Sequence, residues 1–404
     1  MSVGLQELSY LKPVAGIRLS TAAANICYKD REDVVVIECC EGTSCAGVFT
    51  QNAFCAAPVI IARKHMSDAE PRAFIINSGN ANAGTGNQGL QDAQQCCELV
   101  ATELGCDAAQ VLPFSTGVIG QNLPVDRIQA VIPLVASQLN DDAWNQAAQA
   151  IMTTDTMAKG KSLSLNLGGK DIAITGIAKG SGMIRPDMAT LLSFIATDAA
   201  IDDELLQACL NSAVEKSFNR ITVDGDTSTN DSCMLLATGR SGVNIQQGSE
   251  DYLQFEQAIT EVCIYLAQSM IRDGEGATKF ISVIVEQGKD CRECLDVAYT
   301  IAHSPLVKTA FFASDPNWGR ILAAVGRSGL QGMVLEDISI YLDDTCIVEN
   351  GGVAGSYTEA QGQAVMDKEE ITIRVVLGRG QENECVWTTD LSYDYVKINA
   401  EYRT

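Results

Sequence analysis

Two alternating runs on either side of a glycine pair fix one piece of this chain before anything else is considered. Leu163, Leu165 and Leu167 occupy every second position of 162–167, Gly168-Gly169 follow, and a second apolar run covers 171–178. Successive side chains of a strand point to opposite faces, and a two-residue turn between antiparallel strands needs positive φ, which glycine adopts freely. The segment therefore reads as a β-hairpin, and one lobe of the protein must contain a sheet.

Elsewhere strands alternate with helices. The runs 34–37, 58–61 and 74–76 are rich in branched residues and bounded by polar or glycine segments, so they read as strands. Apolar or small residues recur at helical spacing over 88–104, 125–139 and 144–152. After the hairpin, Gly180 and Gly182 permit a tight turn, Pro186 fixes a bend, and 191–197 resumes as an apolar strand. Asp202 is placed to cap a helix whose buried face is Leu206, Cys209, Leu210, Ala213 and Val214. Beyond residue 287 the pattern restarts with a helix over 291–302 and strands over 338–342 and 371–377. The fold class is mixed α/β. A chain of 404 residues exceeds what one core usually supports, so the expected division is 1–287 and 288–404.

Charge and cysteine usage exclude several classes. The balance of 28 Lys+Arg against 51 Asp+Glu gives a net charge of -23, and the densest basic stretch is only Arg63-Lys64-His65, too short for a phosphate-backbone footprint. No nucleic acid partner is expected. The 15 cysteines are odd in number and include the adjacent pairs Cys39-Cys40 and Cys96-Cys97, which suits small buried hydrophobes better than a disulfide framework. The first thirteen residues lack the basic start and apolar run of a signal peptide, and no apolar stretch approaches 18 residues. The expectation is a cytoplasmic protein without a membrane anchor.

Familiar catalytic arrangements are scarce. There are only two histidines, His65 and His303, and both read as structural or surface residues, so Ser-His-Asp chemistry is poorly supported. Cys291 and Cys294 form a lone CxxC on a helix, better read as packing than as a zinc or redox site; no metal is expected. No P-loop is present, and 179–183 lacks the spacing of a dinucleotide fingerprint. Asp224–Asn230 lacks the terminal glutamate of a calcium loop and reads as structural.

What remains is the block 179–198, dense in glycine, threonine and charge, with an Ala189-Thr190 junction inside it. A threonine hydroxyl is a weak nucleophile unless a base is close, and an N-terminal threonine carries its own base, the α-amine. Attack of Thr190 on the carbonyl of Ala189 would shift the acyl group from nitrogen to oxygen, and water would open the ester. An Ala-Thr junction alone is a weak signal and reads more readily as an ordinary strand threonine.

At this block the sequence resembles the ornithine acetyltransferases, also called glutamate N-acetyltransferases, of the cyclic arginine pathway. Residues 179–198 look like the self-cleavage signature of that family. Similar segments recur along the chain: Asn77-Ser-Gly-Asn-Ala-Asn-Ala83, Ser115-Thr-Gly-Val-Ile-Gly120, Met152-Thr-Thr-Asp-Thr156, Asp224 to Asn230, Asp315-Pro-Asn-Trp-Gly-Arg320, and Asn399 to Thr404.

The resemblance implies a self-processed, N-terminal-nucleophile-type layered sandwich, sheets enclosed by helices, with a smaller C-terminal α/β lobe. Its nucleophile would be Thr190, giving an alpha chain of 1–189 and a beta chain of 190–404. Thr116 and Gly117 would form the oxyanion hole, a role that suits a hydroxyl and a backbone N–H. Substrate binding would fall to Thr153 or Thr154, Lys179, Thr190, Glu275, Asn399 and Thr404. Without the resemblance, Glu275 reads as a helix terminator and Asn399 as a turn residue. The implied reaction is ping-pong transfer of acetyl from N-acetylornithine to glutamate, without a cofactor. Acetyl-CoA would be an additional donor in a bifunctional member, and no residue of the sequence separates the two kinds. The implied assembly is two alpha and two beta chains. A self-processing amidohydrolase or aminopeptidase of the related fold is the alternative.

Overall fold

The computed structural model describes residues 2–29, 31–185 and 191–401. Thr190, the Ala189–Thr190 junction and Thr404 lie outside the described residues. The chain divides into two compact units, one of Glu7–Asn219 with Asp226–Met270, the other of Met1–Gln6, Arg220–Gly225 and Ile271–Thr404.

The first unit is built on two sheets. One holds four strands in the order Ile17–Ala22, Val34–Cys39, Ala73–Asn80, Val111–Val118; the other holds five, Ser44–Phe49, Ser232–Ala237, Leu192–Thr197, Lys170–Lys179, Lys159–Leu167. Strand periodicity explains how they stack. Leu19, Val35, Ile37, Phe74, Ile76 and Phe114 of the first sheet share one core with Ile177, Leu192, Phe194, Met234 and Leu236 of the second. Phe74, Phe114 and Phe194 meet at its centre with ring centroids 5.1–5.9 Å apart. The intervening residues Val34, Val36, Ala73 and Ile75 point the other way, onto Ala93, Cys97, Val100, Ile128 and Ile132 of helices Gly86–Leu104 and Val125–Ser137. Strands buried on both faces read as continuous apolar runs, as these do. Helix Glu250–Arg272 covers the outer face of the second sheet, where Val262 and Leu266 approach Gly176 so closely that a side chain there would crowd them. The unit is thus a helix, sheet, sheet, helix sandwich.

The hairpin forms as its sequence dictates, Lys159–Leu167 against Lys170–Lys179, with Gly168 and Gly169 at φ 57° and 85°. Asp202 caps helix Asp203–Glu215 through Glu204 N–H, and the five residues of its expected face are all buried. One expectation fails. Residues 58–61 are not a strand but the first turn of helix Ala57–Asp68, whose inward face includes Val59, Ala62 and His65.

The second unit has a six-stranded sheet in the order Gly352–Val353, Thr345–Glu349, Ser339–Leu342, Glu370–Val376, Phe280–Gly288, Glu382–Thr389. Ile281, Val283, Val285, Ile371, Ile373 and Val375 alternate onto one core with Val297, Ile301, Phe311 and Ile321 of its helices. Its main segment begins at Ile271, earlier than the expected 288, because strand Phe280–Gly288 pairs on both edges inside this sheet. No described helix is long and apolar enough to cross a membrane. All fifteen cysteines are free, and burial pushes the thiol of Cys96 up to about 12, as for an inert core residue.

Candidate active site

Four of the expected site residues, Thr116, Gly117, Thr153 and Lys179, converge in the first unit. Strand Val111–Val118 runs parallel to Ala73–Asn80, and at their carboxyl ends the register slips, so that Asn80 lies opposite both Thr116 and Val118. Gly117 sits there at φ 134°, where a Cβ would stand 2.3 Å from the carbonyl carbon of Gly79. Only glycine tolerates that approach. The irregularity ends regular pairing beside Thr116 and re-aims the backbone, a common use of a bulge next to a reaction centre.

Lys179 closes the hairpin's second strand. Its side chain is buried, and Nζ donates to Thr116 Oγ1 at 3.2 Å and to Thr153 Oγ1 at 2.8 Å. Because Thr116 Oγ1 accepts from an ammonium, its own hydrogen is left to donate elsewhere, and a charge-polarised hydroxyl is a stronger donor. Thr154 is turned away from this group, with its hydroxyl 2.7 Å from Ser181 Oγ. Of the two candidate threonines, Thr153 is the one beside Lys179.

Asp155 organises the cluster, and sequence reasoning gave it no role. One carboxylate oxygen accepts from Lys159 Nζ and Gly180 N–H, both at 2.7 Å; the other accepts from Thr153 N–H at 3.0 Å and lies 3.9 Å from Lys179 Nζ. Burial works against its ionisation, yet Lys159 and Lys179 outweigh burial and hold the carboxyl well below the usual carboxylate range. The spacing of Asp155 and Lys159 was a visible signal, but it distinguishes a surface pair from a buried one only once the fold is known.

Asn77 and Asn80, in one of the family-like segments, tie the strand ends together. Ser115 Oγ donates to Asn77 Oδ1 at 2.6 Å, and Asn77 Nδ2 donates to Asn80 O at 2.8 Å. Asn230 Nδ2 reaches the carbonyls of Ala81 and Ser115 at 2.6 and 2.9 Å. Asp224–Asn230 thus serves structure at its Asn230 end, and in the second unit Asp224 Oδ2 accepts from Tyr395 OH at 3.1 Å.

Glu275 and Asn399 belong to the second unit and are joined there: Asn399 Nδ2 donates to Glu275 Oε2 at 2.7 Å and to Tyr395 O at 3.0 Å. Glu275 is buried. Both histidines have structural partners, His65 with Val111 O and Gln94, His303 with Thr222 Oγ1. Among the described residues no three His, Cys, Asp or Glu side chains are grouped to hold a metal ion.

The sequence model of the ArgJ family matches residues 18–404. The chain belongs to the ArgJ family. It is 54% identical over 407 residues to the arginine biosynthesis bifunctional protein ArgJ of Pseudomonas fluorescens (strain Pf0-1), covering 100% of both chains. It is 56% identical over 395 residues to the ArgJ protein of Methylococcus capsulatus (strain ATCC 33009 / NCIMB 11132 / Bath), covering 98% of this chain and 97% of that one. Among solved structures, the ArgJ protein of Bacillus halodurans is 39% identical, covers 51% of this chain and 96% of its own, and superposes with a TM-score of 0.48. The ArgJ family match spans Thr116, Gly117, Thr153, Lys179, Thr190, Glu275, Asn399 and Thr404.

Proposed function

We propose that this chain cuts itself between Ala189 and Thr190 and then transfers acetyl from N-acetylornithine to glutamate. The observation that carries the reading is the buried Lys179 ammonium bridging Thr116 and Thr153 hydroxyls beside the Gly117 irregularity, in a chain of the ArgJ family. Such a site offers a polarised hydroxyl donor and a fixed positive charge, which is what a tetrahedral oxyanion and an amino-acid carboxylate require.

In the cut, Thr190 Oγ attacks the Ala189 carbonyl and the C–N bond breaks as the ester forms, which frees the Thr190 amine; water then hydrolyses the ester to the Ala189 carboxylate and the Thr190 hydroxyl. In turnover, that amine takes the hydroxyl proton as Oγ attacks the acetyl carbonyl. Thr116 Oγ1–H and Gly117 N–H hold the oxyanion, ornithine leaves with the proton, and the amine of glutamate attacks the acetyl-threonine ester to restore the hydroxyl. Lys179 with Thr153, Glu275 with Asn399, and Thr404 bind the amino-acid groups of the substrates. The reaction needs no metal or nucleotide cofactor. Acetyl-CoA enters as a second donor substrate, a reading supported by the description of the relatives as bifunctional. The working assembly is two alpha chains of 1–189 and two beta chains of 190–404, in the cytoplasm.

Intact mass with sequencing of any new N-terminus tests the first step, and acceptor dependence tests the second. We expect fragments meeting at 189 and 190, and consumption of N-acetylornithine that depends on glutamate. Thr190→Ala is expected to remain uncut and inactive. Acetate release at the same rate without glutamate would instead make the protein an amidohydrolase of related fold, and an uncut active chain would end the reading.

A further inference from the structure

Outside the Lys179 cluster, the first unit holds a second buried carboxyl, Asp231, whose surroundings are unusual. It is 1% exposed and immediately precedes strand Ser232–Ala237, which runs parallel to Leu192–Thr197. Its Oδ1 accepts the backbone N–H of Leu191 at 2.9 Å, forty positions away in sequence. Oδ2 is buried and meets no hydrogen-bond donor among the described residues. Burial pushes this carboxyl well above the usual range, against the opposing pull of the Leu191 N–H, the Ser228 hydroxyl and the Lys179 charge.

The backbone around Asp231 is fixed from both sides. Its carbonyl accepts from Thr50 N–H at 2.9 Å, and Ser232 N–H donates to Leu191 O at 3.0 Å. The preceding residue, Asn230, donates to the carbonyl of Ser115, the residue before Thr116. One dipeptide therefore holds the first peptide group after residue 190 with one side chain and the strand end carrying Thr116 and Gly117 with the other. Polar groups this deeply buried are costly to leave without a geometric purpose.

We propose that Asp231 is a positioning residue for both self-cleavage and acetyl transfer, anchoring the Leu191 N–H, the backbone donor that follows the junction, relative to the Thr116–Gly117 strand. The inference rests on the reading of Thr190 as nucleophile. It makes Asp231 neither a base nor a substrate ligand. The requirement is an acceptor of the right reach, and an amide oxygen fulfils it as well as a carboxylate.

The test follows cleavage by intact mass after synthesis of the full chain, and steady-state kinetics of the cleaved enzyme. Misplacement of a reacting group by about 1 Å can cost on the order of 100-fold in rate, so Asp231→Ala is expected to slow cleavage and lower kcat by roughly that factor with KM unchanged. Asp231→Asn retains the acceptor and is expected to cleave within a few-fold of wild type. Leu235→Ala, a fully buried apolar position in the same strand, is the stability control; it lowers the melting temperature and leaves cleavage at the wild-type rate. Should Asp231→Ala fail to fold, Asp231→Ser, too short to reach Leu191, replaces it. Wild-type rates in Asp231→Ala, equal slowing in Asp231→Asn, or equal slowing in Leu235→Ala each overturn the proposal. A wild-type chain that stays uncut overturns the Thr190 reading instead.

Discussion

Asp155 and Lys159, four residues apart, form an ion pair of 2.7 Å in which neither side chain touches solvent. A buried pair of this kind contributes little net stability compared with a well-packed apolar pair, but removing one partner strands the other charge. Here the stranded charges would be two, because Lys179 also faces Asp155. The pair therefore acts as a geometric constraint on Lys179 and on the Thr153 backbone.

Asp155→Asn is accordingly expected to lower unfolding stability by about 3–5 kcal/mol at neutral pH, measured by denaturant titration. The pH dependence has a definite sign. The folded carboxyl lies below its ordinary value of 3.8, so its stabilisation is fully present above that pH and is lost as pH falls through the folded value. The gap between wild type and variant should thus hold through neutral pH and narrow only in acid. A gap that closes near neutrality would show that the pair is not ionised as described.

Thr116 and Gly117 are adjacent, yet their substitution should separate two effects. Thr116→Ala removes a hydroxyl from a site already held by backbone, so its stability loss is small, while kcat is expected to fall by roughly 10²–10³. Gly117→Ala cannot be accommodated in place: its Cβ would stand 2.3 Å from Gly79 C and 2.5 Å from Asn80 N, at a φ that side chains rarely adopt. It should cost at least about 1–3 kcal/mol in stability as well as activity. Paired melting and kinetic measurements decide the matter, and a Gly117→Ala protein as stable as Thr116→Ala would contradict the observed close approach.

The hairpin, the Asp202 cap and the helix over 291–302 could be read from sequence because each depends on local periodicity and one or two punctuating residues. The run 58–61 misled because Val59, Ile60 and Ile61 favour strands, whereas Pro58 at the first helical turn needs no N–H partner and starts a helix. Tertiary packing of Ala62 and His65 then outweighs the β-propensity of the first turn. The site was legible only in part. Thr116, Gly117 and Lys179 stood out through the family resemblance, and Gly117 also has a physical reason visible in its φ. Asp231 could not be found, since its partner Leu191 is brought to it by a parallel strand pairing between segments forty residues apart. Nor does spacing reveal that Asp155 and Lys159 are buried among polar groups rather than solvated on a surface.

Lys308 supplies the last prediction, in the second unit. Its ammonium is buried and donates to Thr388 Oγ1 at 3.0 Å, Thr389 Oγ1 at 3.3 Å and Thr389 O. Burial pushes it down to about 8, with Asp390 and Asp224 pulling the other way. Below that pH both folded and unfolded chains carry the proton, and the folded protein bears the full cost of a buried charge. Between about 8 and the ordinary value of 10.5 the folded lysine is neutral while the unfolded one still binds a proton, so stability rises with pH across this window. Above 10.5 both are neutral and the effect is complete. The whole gain corresponds to about 3 kcal/mol at one pKa unit per 1.36 kcal/mol. Lys308→Met lacks the titrating group, so the urea midpoint of wild type should rise relative to the variant between pH 8 and 10.5 and run parallel to it below that range. Parallel curves throughout would mean that the folded protein keeps Lys308 charged, stabilised by the three oxygens around it and by Asp390 more strongly than burial disfavours it.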